Sequence, residues 1–236
     1  MLKEAIEYVV GLKNRKEIVA VDSRTWIDTD LEEVTDYVAK PFQISTLTGL
    51  VAYIKSNYDK QQDEFMIQVV SPTKVKLLGK LNAQQDRDRY VVVEAIIPEF
   101  SFDSFYDTES LNIKLQSMFV ENVDRDIILQ AIGNISEESV KNVGDDGTSQ
   151  SVEIRQGIKK NEVLVPNPVN LAPYRTFVEV EQPESQFVFR MKDGPRGAIF
   201  EADGRTWRNQ AILNISNYLK KELENEIENN KVHIIA

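Results

Sequence analysis

The chain has 236 residues, 42% hydrophobic and 28% charged, with 38 acidic against 28 basic side chains and a formal net charge of −10; this is ordinary globular composition with enough chain for a core, and it excludes wholesale disorder. There is no cysteine and one histidine, His233, so disulfides, thiolate nucleophiles, cysteine-ligated metals and histidine-based triads or metal clusters are all without their side chains. The acidic balance opposes non-specific phosphate binding but leaves room for a local basic patch.

The N-terminal "MLKEAIEYVVGLKNRKEI" carries acidic residues inside its apolar stretch, and no apolar run approaches a membrane span. Neither a signal peptide nor a membrane anchor is expected. Leu2, Ile6, Val9 and Val10 predict a short amphipathic helix stopping near Gly11, and Glu17–Val21 a strand ending at Asp22. Asp28, Asp30, Glu32 and Glu33 follow in a loop or short helix. In "STLTGLVAYIKSNYD", Leu47, Leu50, Val51, Ile54 and Tyr58 share a helical face that Ser45 or Thr46 can cap.

Strands are expected at Glu64–Val70, Lys74–Leu81 and Arg89–Pro98, with "SPT" a tight turn and "NAQQDRD" a polar, exposed hairpin tip. Phe100, Phe102, Phe105 and Tyr106 form an aromatic cluster, read as core. A helix follows through Leu111, Leu115, Met118 and Phe119, breaks at Asn122–Asp124, and resumes to Gly133. Next, "ISEESVKNV" and "SQSVEIRQGI" flank the turn "GDDGT", which holds Asp145 and Asp146. "VLVPNPVNLAPY" must run extended at an edge or on the surface. "YRTFVEVEQPESQFVFRMKD" predicts two strands around "QPES". "KDGPRG" is then a turn leading to a partner strand at Gly197–Ala202. A long helix from about Thr206 to Glu228 carries Trp207, Ala211, Ile212, Ile215, Leu219, Leu223 and Ile227 in its stripe, and "KVHII" is a terminal strand that includes His233.

The expected class is α+β: a mixed, largely antiparallel sheet with a long hairpin, a central helix and a long C-terminal amphipathic helix. The chain divides into residues 1–98, an N-terminal α/β region with the long hairpin, and 99–236, with the central helix, a β-rich region and the C-terminal helix, unless the two form one continuous domain.

Nucleotide-binding glycine loops are absent, "GPRG" being too short and lying between strands. The carboxylates Asp22, Asp28, Asp30, Glu201 and Asp203 are weak metal candidates, since hard cations want clustered oxygens; turn and cap duty is the better reading of Asp203 and Asp145. Arg175, Arg190, Lys192, Arg196, Arg205 and Arg208 form a basic segment in an acidic chain. Arginine forks bind phosphate or carboxylate, so these six are the anion- or partner-binding candidates. The plainer reading pairs them with Glu179, Glu181, Glu201 and Asp203, across the sheet or across subunits, with an arginine stacked on Trp207 as a further option.

"FSFDSFYDTESLNIKLQSMF", "GDDGTSQSVEIRQG", "VPNPVNLAPYRTFVEVEQPESQFVFRMKDG", "AIFEADGRTWRNQAILNISNYL" and, earlier, "TLTGLVAYIKSNYD" resemble the YfdQ-like family of tailed phages and prophages, whose members mostly lack an assigned activity. The resemblance implies a protein made in the cytoplasm of an infected bacterium and brings no catalytic residues. It leads one to expect Gly-Gly where this chain has Gly204-Arg205. With histidine and cysteine chemistry missing, the reading leans away from an enzyme and expects no cofactor. It favours a non-enzymatic accessory protein acting as a homo-oligomer and binding a host or phage protein or nucleic acid, in DNA recombination or counter-defence. The alternatives are a self-assembling shell or capsid-like protein of HK97 type, suggested by the order of hairpin, long helix and mixed β region; a carboxylate- and Mg²⁺-dependent enzyme on nucleotides or nucleic acid; and a sponge for a small anionic signal, held by Arg190, Arg196, Arg205 and Arg208.

Overall fold

The computed structural model describes residues 2–13, 18–21, 24–27, 32–33, 40–61, 63–82, 85–133, 144–145, 149–156, 159–192 and 194–236. The fold is α+β, with mixed sheets of mostly antiparallel strands. Helix α1 (Leu2–Lys13) runs through Gly11 rather than stopping there. Strands β1 (Ile18–Val21), β2 (Arg24–Ile27) and β3 (Glu32–Glu33) make a small antiparallel sheet, so Glu32 and Glu33 pair with Ile27 and Trp26 instead of forming a loop or helix. Among the described residues, no helix is long and apolar enough to cross a membrane.

The largest sheet joins β4 (Phe42–Ile44), β5 (Phe65–Ser71), β6 (Lys74–Leu81) and β7 (Arg87–Glu94) to the C-terminal strand β15 (Val232–Ile235), in the order β15-β5-β6-β7-β4. The β5–β6–β7 meander is antiparallel, whereas β4 and β15 join its two sides in parallel. Helix α2 (Leu47–Ser56) covers one face. Thr46 caps it, its Oγ1 accepting from the Gly49 amide at 3.1 Å, and Asn57 ends it in the left-handed region, φ 44°. Because the helix stops at Ser56, Tyr58 leaves the expected stripe and is 82% exposed.

A second sheet has the order β12-β13-β14-β8, from β12 (Val169–Leu171), β13 (Ser185–Lys192), β14 (Arg196–Glu201) and β8 (Tyr106–Asp107). The expected β13–β14 hairpin forms, with Gly194 at φ +76° in its turn. Helices α3 (Thr108–Met118) and α4 (Val123–Gly133) pack beside it, and the break between them falls at residues 119–122, slightly ahead of the expected Asn122–Asp124. The third sheet, β11-β10-β9, is built from β9 (Gly144–Asp145), β10 (Ser149–Gln156) and β11 (Lys159–Pro166). The proline-rich stretch is extended on both sides of a cis Asn167–Pro168 bond. It runs at sheet edges, one of the two expected placements, since β11 and β12 are each the outer strand of their sheet, and Val169, Leu171 and Ala172 are buried. "ISEESVKNV" lies outside the described residues.

The C-terminal helical stripe is divided at Leu223 into α5 (Trp207–Glu222) and α6 (Glu224–Glu228). Alternation predicted a strand at Phe177–Val180, and the structure has an irregular loop there. Its backbone is satisfied by one side chain instead of a strand partner: Gln182 Oε1 accepts from the Arg175 and Thr176 amides at 3.0 and 3.2 Å, and Gln182 Nε2 donates to the Phe177 and Val180 carbonyls at 2.9 and 3.2 Å.

Two apolar cores follow. Leu47, Leu50 and Ile54 of α2 meet Ile67, Leu77 and Val91 of the large sheet, together with Phe177, Ile215, Leu219 and Val232, so residues on both sides of position 98 build this core. The other joins Leu111, Leu115, Phe119 and Ile128 to Leu171, Phe187, Phe189 and Ile199. Here Phe100, Phe102 and Tyr106 pack against the core, as expected, with Phe102 stacked on Phe187 at 5.4 Å and Phe100 edge-on to Phe119 at 5.0 Å, whereas Phe105, read with them, lies against Phe200 outside it. Gly197 is required by this packing, since a Cβ there would lie 2.5 Å from Leu111 Cδ2.

Candidate anion-binding surfaces

The six cations of the basic segment separate into three environments. Arg175 is buried, 6% exposed, and follows the end of β12. Its Nη1 lies 3.1 Å from Glu201 Oε1 at the end of β14, and its Nη2 donates to Ser185 Oγ at the start of β13. The guanidinium is 3.9 Å from the Trp207 ring centroid and 5.5 Å from that of Phe187. Burial pushes Arg175 down to about 10, Glu201 and Asp203 pull it back up, and Arg208 lowers it again. Ion pairing within the segment and an arginine on Trp207 are thus both realised by Arg175.

Arg205 and Arg208 stand at the entrance of α5. Asp203 shapes this entrance: its Oδ1 accepts from the Arg205 amide at 2.9 Å and its Oδ2 from the Trp207 amide at 3.3 Å. The cap role read for Asp203 is therefore present, while Thr206 makes no side-chain cap to the helix. Gly204 and Arg205 both have positive φ, +62° and +68°. The second value lies in the left-handed region that an arginine Cβ disfavours.

Arg190, Lys192 and Arg196 occupy the outer face of the β13–β14 hairpin near its turn. Alternation buries Phe187, Phe189 and Met191 and turns Val188, Arg190 and Lys192 outward. Lys192 and Arg196 are directly opposite each other. Lys192 Nζ sits 4.0 Å over the half-buried Phe105 ring, which meets Phe200 edge-on at 6.1 Å. Arg190 donates to the Phe189 carbonyl at 3.4 Å.

Among the described residues, none of Arg190, Lys192, Arg196, Arg205 or Arg208 has a carboxylate within 4.0 Å. Three of the four acids expected to pair with them are used elsewhere. Glu201 holds Arg175, Asp203 holds the helix entrance, and Glu179 Oε1 accepts from the Thr48 amide at the start of α2 at 3.2 Å.

The metal candidates Glu201 and Asp203 are thus committed to other partners, and Asp22, Asp28 and Asp30 lie outside the described residues. Among the described residues, no group of three or more metal-ligating side chains is brought together. His233 lies on β15, its Nε2 3.4 Å from Glu64 Oε2, and Glu64 also pairs with Lys80 at 3.2 Å; the lysine first and the histidine second hold this carboxyl below the usual range. Sequence reasoning missed Gln182 and the buried Arg125, which donates to the Phe119 carbonyl and pairs with Glu121 at 3.3 Å. A glutamine beside a proline and an arginine in a helix's first turn carry no periodic signal of burial.

In comparisons with known proteins, no family model, no curated protein and no solved structure matches the chain.

Proposed function

We propose that this is a phage-encoded, non-enzymatic accessory protein that acts as a homo-oligomer in the infected bacterial cell and docks a macromolecular partner, for which nucleic acid is the best fit. The observation that carries this reading is the outer hairpin face. Arg190, Lys192 and Arg196 are grouped there with no carboxylate within 4.0 Å among the described residues, in a chain whose net charge is −10, and Asp107, opposite Arg196 on β8, spends its carboxylate on the cap of α3. Acids are abundant in the chain, so three adjacent cations with no ion-paired carboxylate among the described residues leave a local positive field suited to a polyanion. The lysine fixed over Phe105 holds one charge in place without neutralising it. The resemblance to the YfdQ-like family supports the phage context, and with it a role in DNA recombination or counter-defence.

For self-association the support is β15, an edge strand of the large sheet, with Ile235 56% exposed. A groove of about 460 Å³, lined by Ile227, Val232, Ile234 and Ile235 among others, runs beside it. Two measurements test the proposal. Light scattering at micromolar concentration should give a defined oligomer, and a strict monomer overturns that part. Fluorescence anisotropy with labelled single-stranded and duplex DNA should show binding that weakens steeply with salt and is lost in Arg190→Glu/Lys192→Glu/Arg196→Glu. Binding unchanged by the triple reversal rejects the hairpin as the docking face, and no binding to either DNA points to an acidic protein partner instead.

A further inference from the structure

The outer face of the second sheet carries aromatic rings as well as charge. The alternation that turns Val188, Arg190 and Lys192 outward on β13 sets Phe200, Ala198 and Arg196 opposite them on β14. On the neighbouring β8, Asp107 pairs with Arg196, so Phe105, two residues before it, stands on the same face. The contact between Phe105 and Phe200, 6.1 Å between ring centroids, agrees with that placement. Both rings are half-buried, and among the described residues neither belongs to an apolar core. Two large rings left partly in water on one sheet face lack the burial that ordinarily holds an aromatic side chain.

Cations interleave with these rings. Lys192 Nζ stands 4.0 Å from the centre of the Phe105 ring, so a charge rather than apolar packing meets that ring face. Lys192 and Arg196 are exposed and Arg190 is half-buried, while the acid on the same face, Asp107, is spent on the Ser110 amide and hydroxyl. Open rings among positive charges match what a nucleic-acid strand offers, a phosphate at each nucleotide and flat bases to stack. Two features of the geometry favour a single strand over a duplex. The Phe105 and Phe200 rings are inclined at 69° to each other, so two bases lying on them must splay apart, which unpaired bases can do and stacked pairs cannot. The hairpin also sits inside a four-stranded sheet, flanked by β12 and β8. At about 4.8 Å per strand spacing, that sheet is wider than the ~12 Å major groove.

We infer that this face binds single-stranded nucleic acid in preference to duplex, with bases lying on Phe105 and Phe200 and phosphates held by Arg190, Lys192 and Arg196. The inference rests on the hairpin being the docking face proposed above, and adds the strandedness of the partner and the two residues that sense it. Lys192, on its flexible stem, gives up its place over Phe105 to the entering base and turns to a phosphate. Every base has a flat face, so recognition through these rings is tolerant of sequence.

The test is fluorescence anisotropy with one labelled oligonucleotide, used alone and annealed to its complement, on the native chain and on Phe105→Leu and Phe200→Leu. The native chain should bind the single strand about tenfold or more tightly than the duplex, and each leucine variant should raise the single-strand Kd by about tenfold. Neither variant removes a charge, so the duplex Kd and the slope of log Kd against log salt should stay as in the native chain. Phe105→Tyr keeps a ring and should retain native affinity. Thermal unfolding shows whether the leucine variants are folded; if they are not, the strand preference of the native chain decides. Duplex bound as tightly as the single strand, or single-strand binding unchanged in both folded leucine variants, overturns the inference. Binding that is lost on the triple charge reversal but indifferent to Phe105 and Phe200 removes the stacking role and leaves the docking face standing. Binding indifferent to the charge reversal, or no binding at all, removes both.

Discussion

At the scale of single residues, the most informative side chains are those that depart from what their position favours. Arg205 occupies the left-handed region at a cost of about 1–2 kcal/mol, while glycine there would gain unfolded-state freedom worth about 0.4–1 kcal/mol. The first effect exceeds the second, so Arg205→Gly should stabilise the protein by about 0.5–1 kcal/mol in urea unfolding. Arg175 is the converse case, a cation whose burial is tolerated only because Glu201 and Ser185 meet it. Glu201→Gln leaves that cation buried beside a neutral partner and should cost about 3 kcal/mol, whereas Arg175→Met removes the charge with its burial penalty and should cost less. A larger loss in Arg175→Met than in Glu201→Gln would reverse this account. Tyr53 gives a pH dependence: burial first, and then the hydrogen bond to Asp59 at 2.7 Å and its charge, push the phenol up to about 12 from 10. Its neutral form therefore contributes stability that is complete below pH 10 and lost as the pH rises through about 12. Native protein should lose stability relative to Tyr53→Phe across that window, as measured by unfolding at successive alkaline pH values.

At the scale of elements, what could be read ahead followed from local signals. The stripe Leu47, Leu50, Val51 and Ile54 with Thr46 before it is a complete helix statement, and α2 matches it until Asn57 turns left-handed. The meander was equally clear, because β-rich alternation was punctuated by turn residues. Alternation misled at Phe177–Val180. Phe177 and Val180 do enter the core, but a loop folded around the Gln182 amide delivers them. A side chain that replaces four backbone partnerships leaves no pattern in the sequence. Gln182→Leu should accordingly cost at least about 2 kcal/mol, since it strands the Arg175 and Thr176 amides in a buried region; a near-neutral result in thermal unfolding would mean that the loop has other support. The anion-binding candidates were legible as a basic cluster, but their division into one buried, ion-paired arginine and five cations with no carboxylate within 4.0 Å among the described residues was not. That division depends on which acids the tertiary fold spends elsewhere: Glu201 on Arg175, Asp203 on the α5 entrance and Glu179 on α2.

At the scale of the whole molecule, the large sheet is completed by strands from far apart in the chain. Phe65 of β5 pairs with Val232 of β15, and α5 lays Ile215 and Leu219 on the same face that α2 covers. Non-local pairing of this kind slows folding, because the connecting chain must be closed before the contact repays it. Time of synthesis is therefore a structural variable for this protein. Residues 47–93 leave the ribosome with one apolar sheet face partly uncovered and must wait for residues 207–235 before the core can close. In that interval the nascent chain presents Ile67, Leu77 and Val91, the kind of surface that chaperones bind and that neighbouring nascent chains aggregate through. Proteolysis of ribosome-bound chains of increasing length should show the meander protected only once β15 has emerged. Protection appearing before α5 is made would show instead that α2 and the meander are self-sufficient. If the late closure holds, the yield of active protein in a cell is set by how long its first half can be kept apart from others like it.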